Sequence, residues 1–319
     1  MEFLRLLASI RTPFFDTLMA GVTYFGSEVA FMAAALLLFW CVDKKQGYYV
    51  FLVGAFGTVC NQFLKLACRV PRPWVLDPEF QIVEAARADA TGYSFPSGHT
   101  QNIVGTTASV FACRREKWVR AVCVALMLLV PFSRMYLGVH TPLDVSVGFV
   151  TALALAAALY PAFRSEQAAK KATPWILLYA SSLSSFSSLA RCDRPASIED
   201  LANITHGLKN AYTMAGAVLG FIVVYLADEK KLHFEVRAPL LGQILKLVLG
   251  LGLIIGIKAG LKPVLAALFA GSQPLTVAIF AGAQAESLVR YFIIVIFAGI
   301  VWPLTFPFFA KLGAKGKRA

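Results

Sequence analysis

Apolar runs long enough to cross a bilayer recur along almost the whole chain, separated by short polar loops. The first covers about 29–42 and is closed by Asp43-Lys44-Lys45, and the second covers about 48–66. A polar stretch, Cys68 to Phe95, carries three arginines and four acids. Further runs follow at about 99–113, 118–133 and 143–163. After Lys171 four more are expected, near 174–190, 209–227, 239–257 and 289–310, with a moderately apolar stretch at 263–287 that reads as re-entrant or interfacial. Residues 2–25 differ, because Arg5, Arg11 and Asp16 interrupt the apolar positions. They read as one or two amphipathic helices lying at the interface and ending at Gly26-Ser27. Apolar runs this long and this numerous do not fit strands or the surface helices of a soluble core. The pattern predicts an all-α, polytopic membrane bundle.

Composition supports that reading: 58% of residues are hydrophobic and only 15% charged, where a soluble domain carries about 25% charged residues. The net charge of +12 does not mark a nucleic-acid partner, since the basic residues cluster in short loops. Arg114-Arg115-Glu116-Lys117 with Arg120 form a compact basic loop and are assigned to the cytoplasmic side. Alternation then places Lys44-Lys45, Arg164 to Lys171, Asp228 to Arg237 and the tail from Lys311 on that side, with 68–98 and 134–141 together on the opposite face. The six cysteines, Cys41, Cys60, Cys68, Cys113, Cys123 and Cys192, form no C-x-x-C pair and read as small buried hydrophobes. The opening MEFLRLLASIRTPFFD lacks the uninterrupted apolar core of a cleavable leader. Gly216-x-x-x-Gly220 and Gly252-x-x-x-Gly256 have the spacing of close helix contacts. The division expected is 1–27 interfacial helices, 28–165 core, and 172–319 an extension whose default role is packing or homodimerisation.

Three polar clusters fall at predicted span ends on one face of the membrane. The first is Lys65 and Arg72-Pro73, with six residues between Lys65 and Arg72. The second is Pro96-Ser97-Gly98-His99, at the start of an apolar run. Free N–H groups and the helix dipole make such a start an anion site before any side chain is counted. The third is Ser133-Arg134, His140 and Asp144. Pro142 marks a helix start near His140, which places His140 and Asp144 four apart on one helix face. A carboxylate there accepts the Nδ1 proton and leaves Nε2 as a free lone pair, an oriented nucleophile. Lys65, Arg72 and Arg134 supply cations where isolated charge is expensive, so their convergence on one dianion makes sense. Ser97 and Gly98 N–H groups add donors, and His99 is free to protonate a leaving oxygen. His206 and His233 lie in loops without such company and receive no role.

Taken together, Lys65-x6-Arg72-Pro73, Pro96-Ser97-Gly98-His99 and Ser133-Arg134-x5-His140-x3-Asp144 resemble the signature of the type 2 phosphatidic-acid phosphatase superfamily, which also contains the vanadium haloperoxidases. The match spans about 60–150. The resemblance implies a membrane core of that family with added C-terminal transmembrane helices, and a phosphohistidine mechanism with no metal or other cofactor. By it His140 attacks phosphorus, Asp144 orients His140 and His99 protonates the leaving group. Lys65, Arg72, Ser97, Gly98 and Arg134 then hold the phosphoryl oxygens. A first span that often precedes the interfacial helix in this family is missing from the chain. The segment 172–319 lies outside the signature and resembles longer bacterial members.

The function expected is a multi-pass enzyme of the cell (inner) membrane, its site on the extracytoplasmic face. It would hydrolyse a lipid phosphomonoester or pyrophosphate of the phosphatidic acid, phosphatidylglycerol phosphate, undecaprenyl pyrophosphate or sphingoid-base phosphate type. Trp74, Phe80 and Tyr93 in the loop 74–95 are placed to shape the entrance. The competing class is a lipid flippase or permease that uses the anion site for binding only. A transporter needs the cations but not an oriented His140–Asp144 pair. A haloperoxidase is disfavoured, because those proteins are largely soluble.

Overall fold

The structure, a computed structural model, describes residues 1–165, 167–173, 176, 198–269 and 282–312. Among the described residues there are helices and turns and no strand. Helices α1 (Glu2–Ser9) and α2 (Pro13–Tyr24) open the chain. Thr12 caps α2 by accepting from the Phe15 N–H, and Pro13 occupies its first position, where the missing N–H costs nothing. Next come α3 (Glu28–Leu37), continued by a π turn at Leu38–Val42, α4 (Lys44–Cys68) and the short α5 (Pro73–Leu76). Then follow α6 (Gly98–Cys113), α7 (Lys117–Tyr136) and α8 (Pro142–Leu159). The later helices are α9 (Ile198–Ala227), α10 (Leu240–Phe269), α11 (Gly282–Ile296) and α12 (Phe306–Lys311). Among the described residues six segments are long and apolar enough to cross a bilayer, and α2 with the α3 segment, bent by 48°, makes a seventh if the two count as one.

Most apolar runs became helices that extend a few residues beyond them, because polar end residues still make helical backbone bonds. Two expectations change. Residues 263–269 are not re-entrant: α10 continues through Pro263 to Phe269. The run 289–310 is broken into α11, a π turn at Phe297–Val301, a 3₁₀ turn at Pro303–Thr305 and α12. Pro303 and Pro307 cannot donate backbone hydrogen bonds, so a continuous helix would be interrupted at both. The predicted span 174–190, Ile176 apart, and the stretch 270–281 lie outside the described residues.

The chain divides into two compact units. The first comprises Met1–Ala34, Tyr49–Ala168 and Leu189–Gly207. In it α6 packs on α7 and α8, through a core of Ile103, Val104, Val130 and Ala152. A second cluster joins Leu4 of α1 to Phe80, Ile82, Ala86 and Ala90 of the polar loop and to Tyr136, Leu137 and Val139. Burying each such large side chain contributes about 1.5–3 kcal/mol, so the loop 77–90 is held by a core of its own. Arg11 adds bonds to the Tyr136 carbonyl (2.9 Å) and the Gln81 carbonyl (2.7 Å).

The second unit comprises Ala35–Tyr48, Ala169–Ser188 and Leu208–Ala319. Phe39, Tyr48 and Phe221 form an aromatic core with mutual edge and tilted contacts. It holds two ion pairs, the half-buried Lys44 with Asp228 at 2.9 Å and the buried Arg290 with Glu286 at 3.0 Å. The two glycine pairs part company. A Cβ on Gly216 would stand 2.1 Å from the Leu288 carbonyl oxygen, and one on Gly220 would stand 3.0 Å from the Val295 Cβ, so that pair makes a tight helix contact. Nothing described lies within 4 Å of such an atom on Gly252 or Gly256.

Candidate functional site

All the residues singled out in the three clusters fall in the first unit. The third cluster depends on the turn between α7 and α8. Gly138 has φ +80°, and a Cβ there would stand 2.7 Å from Arg11 Nη2 and 2.9 Å from the Phe80 ring, so only glycine fits. The turn delivers His140 just ahead of α8. Thr141 is the N-cap and Pro142 the first residue of that helix. Asp144 completes a capping box: the Thr141 hydroxyl accepts from the Asp144 N–H, and Asp144 Oδ2 accepts from the Thr141 N–H at 2.7 Å.

His140 and Asp144 therefore do not share a helix face as their spacing suggested. His140 precedes the helix, and its chain folds back so that Nδ1 stands 3.5 Å from Asp144 Oδ2. That is an ion-pair distance rather than a hydrogen bond. The tautomer follows from the other nitrogen. Nε2 lies 2.9 Å from Arg72 Nη1, and a guanidinium only donates. Nε2 is thus the acceptor with the lone pair, and a neutral ring carries its proton on Nδ1, toward Asp144. Burial, then Arg72, Arg134, Lys65 and His99, holds His140 well below the usual histidine value.

The second cluster is a helix start, as expected. Ser97 is the N-cap of α6, and its Oγ accepts from the Thr100 N–H and from the Thr100 hydroxyl. The Ser97 N–H is taken by the Asp144 carbonyl at 3.0 Å, so what Ser97 can offer an anion is its own hydroxyl proton. Gly98 and His99 begin the helix, where N–H groups have no intrahelical partner. A Cβ on Gly148 of α8 would stand 2.8 Å from the Ser97 carbonyl. A glycine there lets α8 and the start of α6 meet.

The cations divide by what they touch. Lys65, in the last turn of α4, donates to the Tyr93 carbonyl and to the Ser94 carbonyl. Arg72 donates to the carbonyls of Thr91 (2.7 Å), Gly92 (3.0 Å) and Val139 (3.0 Å) as well as facing His140. Arg134 is fully buried and spends one nitrogen, Nη1, on the Thr23 hydroxyl at 3.0 Å. Its Nε and Nη2, like His99 Nε2, are buried with no hydrogen-bond partner among the described residues. Lys65, Arg72 and Arg134, all buried, outnumber the one buried carboxylate of the cluster, Asp144. A buried excess of positive charge with unused N–H donors is stable when an anion completes it.

A profile of the PAP2 superfamily matches residues 46–168, and one for the PAP2 superfamily phosphatase, transmembrane extension, matches residues 212–315. The undecaprenyl-diphosphatase BcrC of Bacillus subtilis is 32% identical over 145 residues, covering 43% of this chain and 72% of that protein. The chain belongs to the PAP2 superfamily. Two other relatives are similar at 28% identity. One is an undecaprenyl-diphosphatase of Sulfolobus acidocaldarius, aligned over 47% of this chain and 71% of its own length. The other is phosphatidylglycerophosphatase B of Bacillus subtilis, aligned over 46% and 74%. The PAP2 assignment makes this chain a phosphoric-ester hydrolase of a lipid phosphatase family and a multi-pass membrane protein, and the second profile accounts for the helices beyond the signature.

Three residues of this candidate site escaped the motif reading. Thr141 carries a legible signal, Thr-x-x-Asp ahead of an apolar run. Thr23 does not: it reaches Arg134 across 111 residues of sequence. Ser94, whose hydroxyl donates to Asp144 Oδ2 at 2.6 Å, is one of many polar residues in its loop.

Proposed function

We propose that the protein is a lipid phosphate phosphatase that works through a phosphohistidine on His140 and needs no metal. One observation carries the reading: buried cations exceed the carboxylate beside a neutral histidine whose Nε2 lone pair is exposed only to Arg72. A phosphate dianion supplies the missing negative charge. Arg134 Nε and Nη2 and the first N–H groups of α6 bind its oxygens, and Arg72 Nη1 transfers from Nε2 to a phosphoryl oxygen as the ligand enters. Lys65 and the Ser97 hydroxyl complete the cradle.

His140 Nε2 then forms a bond to phosphorus while the bond to the leaving oxygen breaks, and His99, having taken up a proton once the bound dianion offsets the cations around it, gives that proton to the leaving oxygen. The ring becomes cationic, which Asp144, 3.5 Å from Nδ1, stabilises. Water, deprotonated by His99, attacks the phosphohistidine and returns Nε2 to its starting state. The core doing this is 28–165, with 1–27 at the interface and 172–319 a separate extension. The site faces outward at headgroup depth in the cell (inner) membrane, so a lipid presents its phosphate with its tails in the bilayer. Relatives named for undecaprenyl diphosphate and phosphatidylglycerophosphate put those two lipid types first.

The test is phosphate release by purified protein across a panel of lipid phosphates and pyrophosphates, with His140→Ala alongside. The variant is expected to lose about 10³-fold or more in rate, as when a nucleophile is removed, while keeping the wild-type thermal midpoint. Wild-type rates in His140→Ala would overturn the mechanism.

A further inference from the structure

Ser94 lies in the loop before α6 and is completely buried. Each of its polar groups is used on a different segment. Its N–H donates to the Val70 carbonyl at 2.8 Å, just before Arg72. Its carbonyl accepts from Lys65 Nζ at 3.5 Å. Its hydroxyl donates to Asp144 Oδ2 at 2.6 Å. A carboxylate is acceptor-only, so the direction of that last bond is fixed. One residue thus touches all three sequence clusters, being two positions ahead of Pro96 itself.

The arrangement at Asp144 Oδ2 gives this a chemical meaning. A carboxylate oxygen has two in-plane lone pairs. The Ser94 hydroxyl takes one and the Thr141 N–H the other, both at under 2.8 Å. His140 Nδ1 approaches the same oxygen and remains at 3.5 Å. Asp144 is therefore pinned and partly neutralised before His140 can claim it. We propose that Ser94 is a positioning residue that sets the strength with which Asp144 acts on His140 and holds the three clusters in register. The catalytic part of this rests on the reading of His140 as nucleophile; the effect on the His140–Asp144 pair does not.

His140 is faced by Lys65 from α4, Arg72 at the start of α5, His99 from α6, Arg134 from α7 and Asp144 from α8. Four of these five disfavour protonation of the ring. Asp144 alone opposes them, so freeing an Asp144 lone pair from Ser94 strengthens the single group that favours the imidazolium.

The experiment uses the full chain in detergent, labelled with ¹³C-histidine. The chain has four histidines, and His140→Gln assigns the His140 resonance. In Ser94→Ala the midpoint of His140 protonation is expected to rise by about one pH unit, the scale of one lost hydrogen bond to a charged group. Ser94→Thr, which keeps the hydroxyl, returns it toward wild type, and in an Asp144→Asn background Ser94→Ala produces no shift. On a lipid phosphate that the wild type hydrolyses, Ser94→Ala raises kcat with KM within about twofold, because the freed Asp144 stabilises the cationic ring more strongly. An unchanged His140 midpoint in a folded Ser94→Ala protein overturns the proposal, as does failure of both Ser94 variants to fold, which would assign Ser94 to the fold alone. If the wild type hydrolyses nothing on the panel while the His140 midpoint moves as stated, the catalytic reading falls and the role of Ser94 stands.

Discussion

Arg134 is the side chain whose hydrogen bonding is least complete. It is fully buried, yet among the described residues only its Nη1 has a partner. Arg134→Ala removes the fork proposed to hold the phosphate and is expected to lower kcat/KM by about 10²–10³, the range for losing one preorganised donor group. Arg134→Lys is expected to recover little of it, because an ammonium does not reproduce the planar fork. Steady-state rates on the preferred lipid check both. His140 gives a pH prediction. Its folded-state value lies well below that of an unfolded histidine. Below about pH 6.5 the unfolded chain therefore binds a proton that the folded one refuses. Folding stability falls as pH drops through that value and stops falling once pH passes the folded one. The thermal midpoint of wild type should fall more between pH 8 and pH 5 than that of His140→Gln. Equal falls would show that His140 is not buried neutral.

Among the elements, helix starts do most of the positioning. Thr141 caps α8 and binds Asp144 in the same capping box. Thr141→Val is expected to cost about 1 kcal/mol of stability through the lost cap, while kcat changes little because the backbone N–H that binds Asp144 Oδ2 is kept, measurable by thermal midpoint and rate together. Helix contacts give a paired prediction. Gly216→Ala forces a methyl group to 2.1 Å from the Leu288 carbonyl, whereas at Gly252 and Gly256 nothing described stands within 4 Å. The first substitution should lower the thermal midpoint, by an amount equivalent to about 1–3 kcal/mol. Gly256→Ala should leave it unchanged or raise it slightly. The same spacing in sequence thus has opposite structural value at the two places, because a glycine pair says that close approach is allowed and not that a neighbour is there.

At the scale of the molecule, the placement of charge sets sidedness. The basic loop at 114–120 and the polar loop at 74–95 belong to opposite ends of α6. Single cysteines at Arg87 and at Arg115, in a background with the native cysteines replaced by serine, should react with an impermeant maleimide from opposite sides. Arg87→Cys is expected to react in intact cells and Arg115→Cys only after permeabilisation. Labelling of both from outside would sink the assignment of the site to the outer face. Prolonged EDTA treatment is expected to leave phosphate release unchanged if, as proposed, Lys65, Arg72 and Arg134 do the work a metal would do. A rate that collapses with EDTA and returns with magnesium would require a different mechanism.

Much of this was legible in the sequence. Apolar runs located most helices because backbone satisfaction in a bilayer leaves few alternatives to a helix. The spacing of Lys65, Arg72, Pro96 to His99, Arg134, His140 and Asp144 pointed to a candidate anion site, because cations, helix-start donors and an oriented base recur together nowhere else in the chain, and all of them fall in one unit. Tertiary structure decided what spacing cannot encode. It placed His140 ahead of α8 rather than on it, and brought Thr23 to Arg134 and Ser94 to Asp144. It also left two of Arg134's nitrogens unused while surrounding Arg72 with carbonyls. Residue type and local period fix which groups are present and which helix carries them. The partner of each buried polar atom is set by chain segments far away in sequence, and only the folded packing brings those segments together.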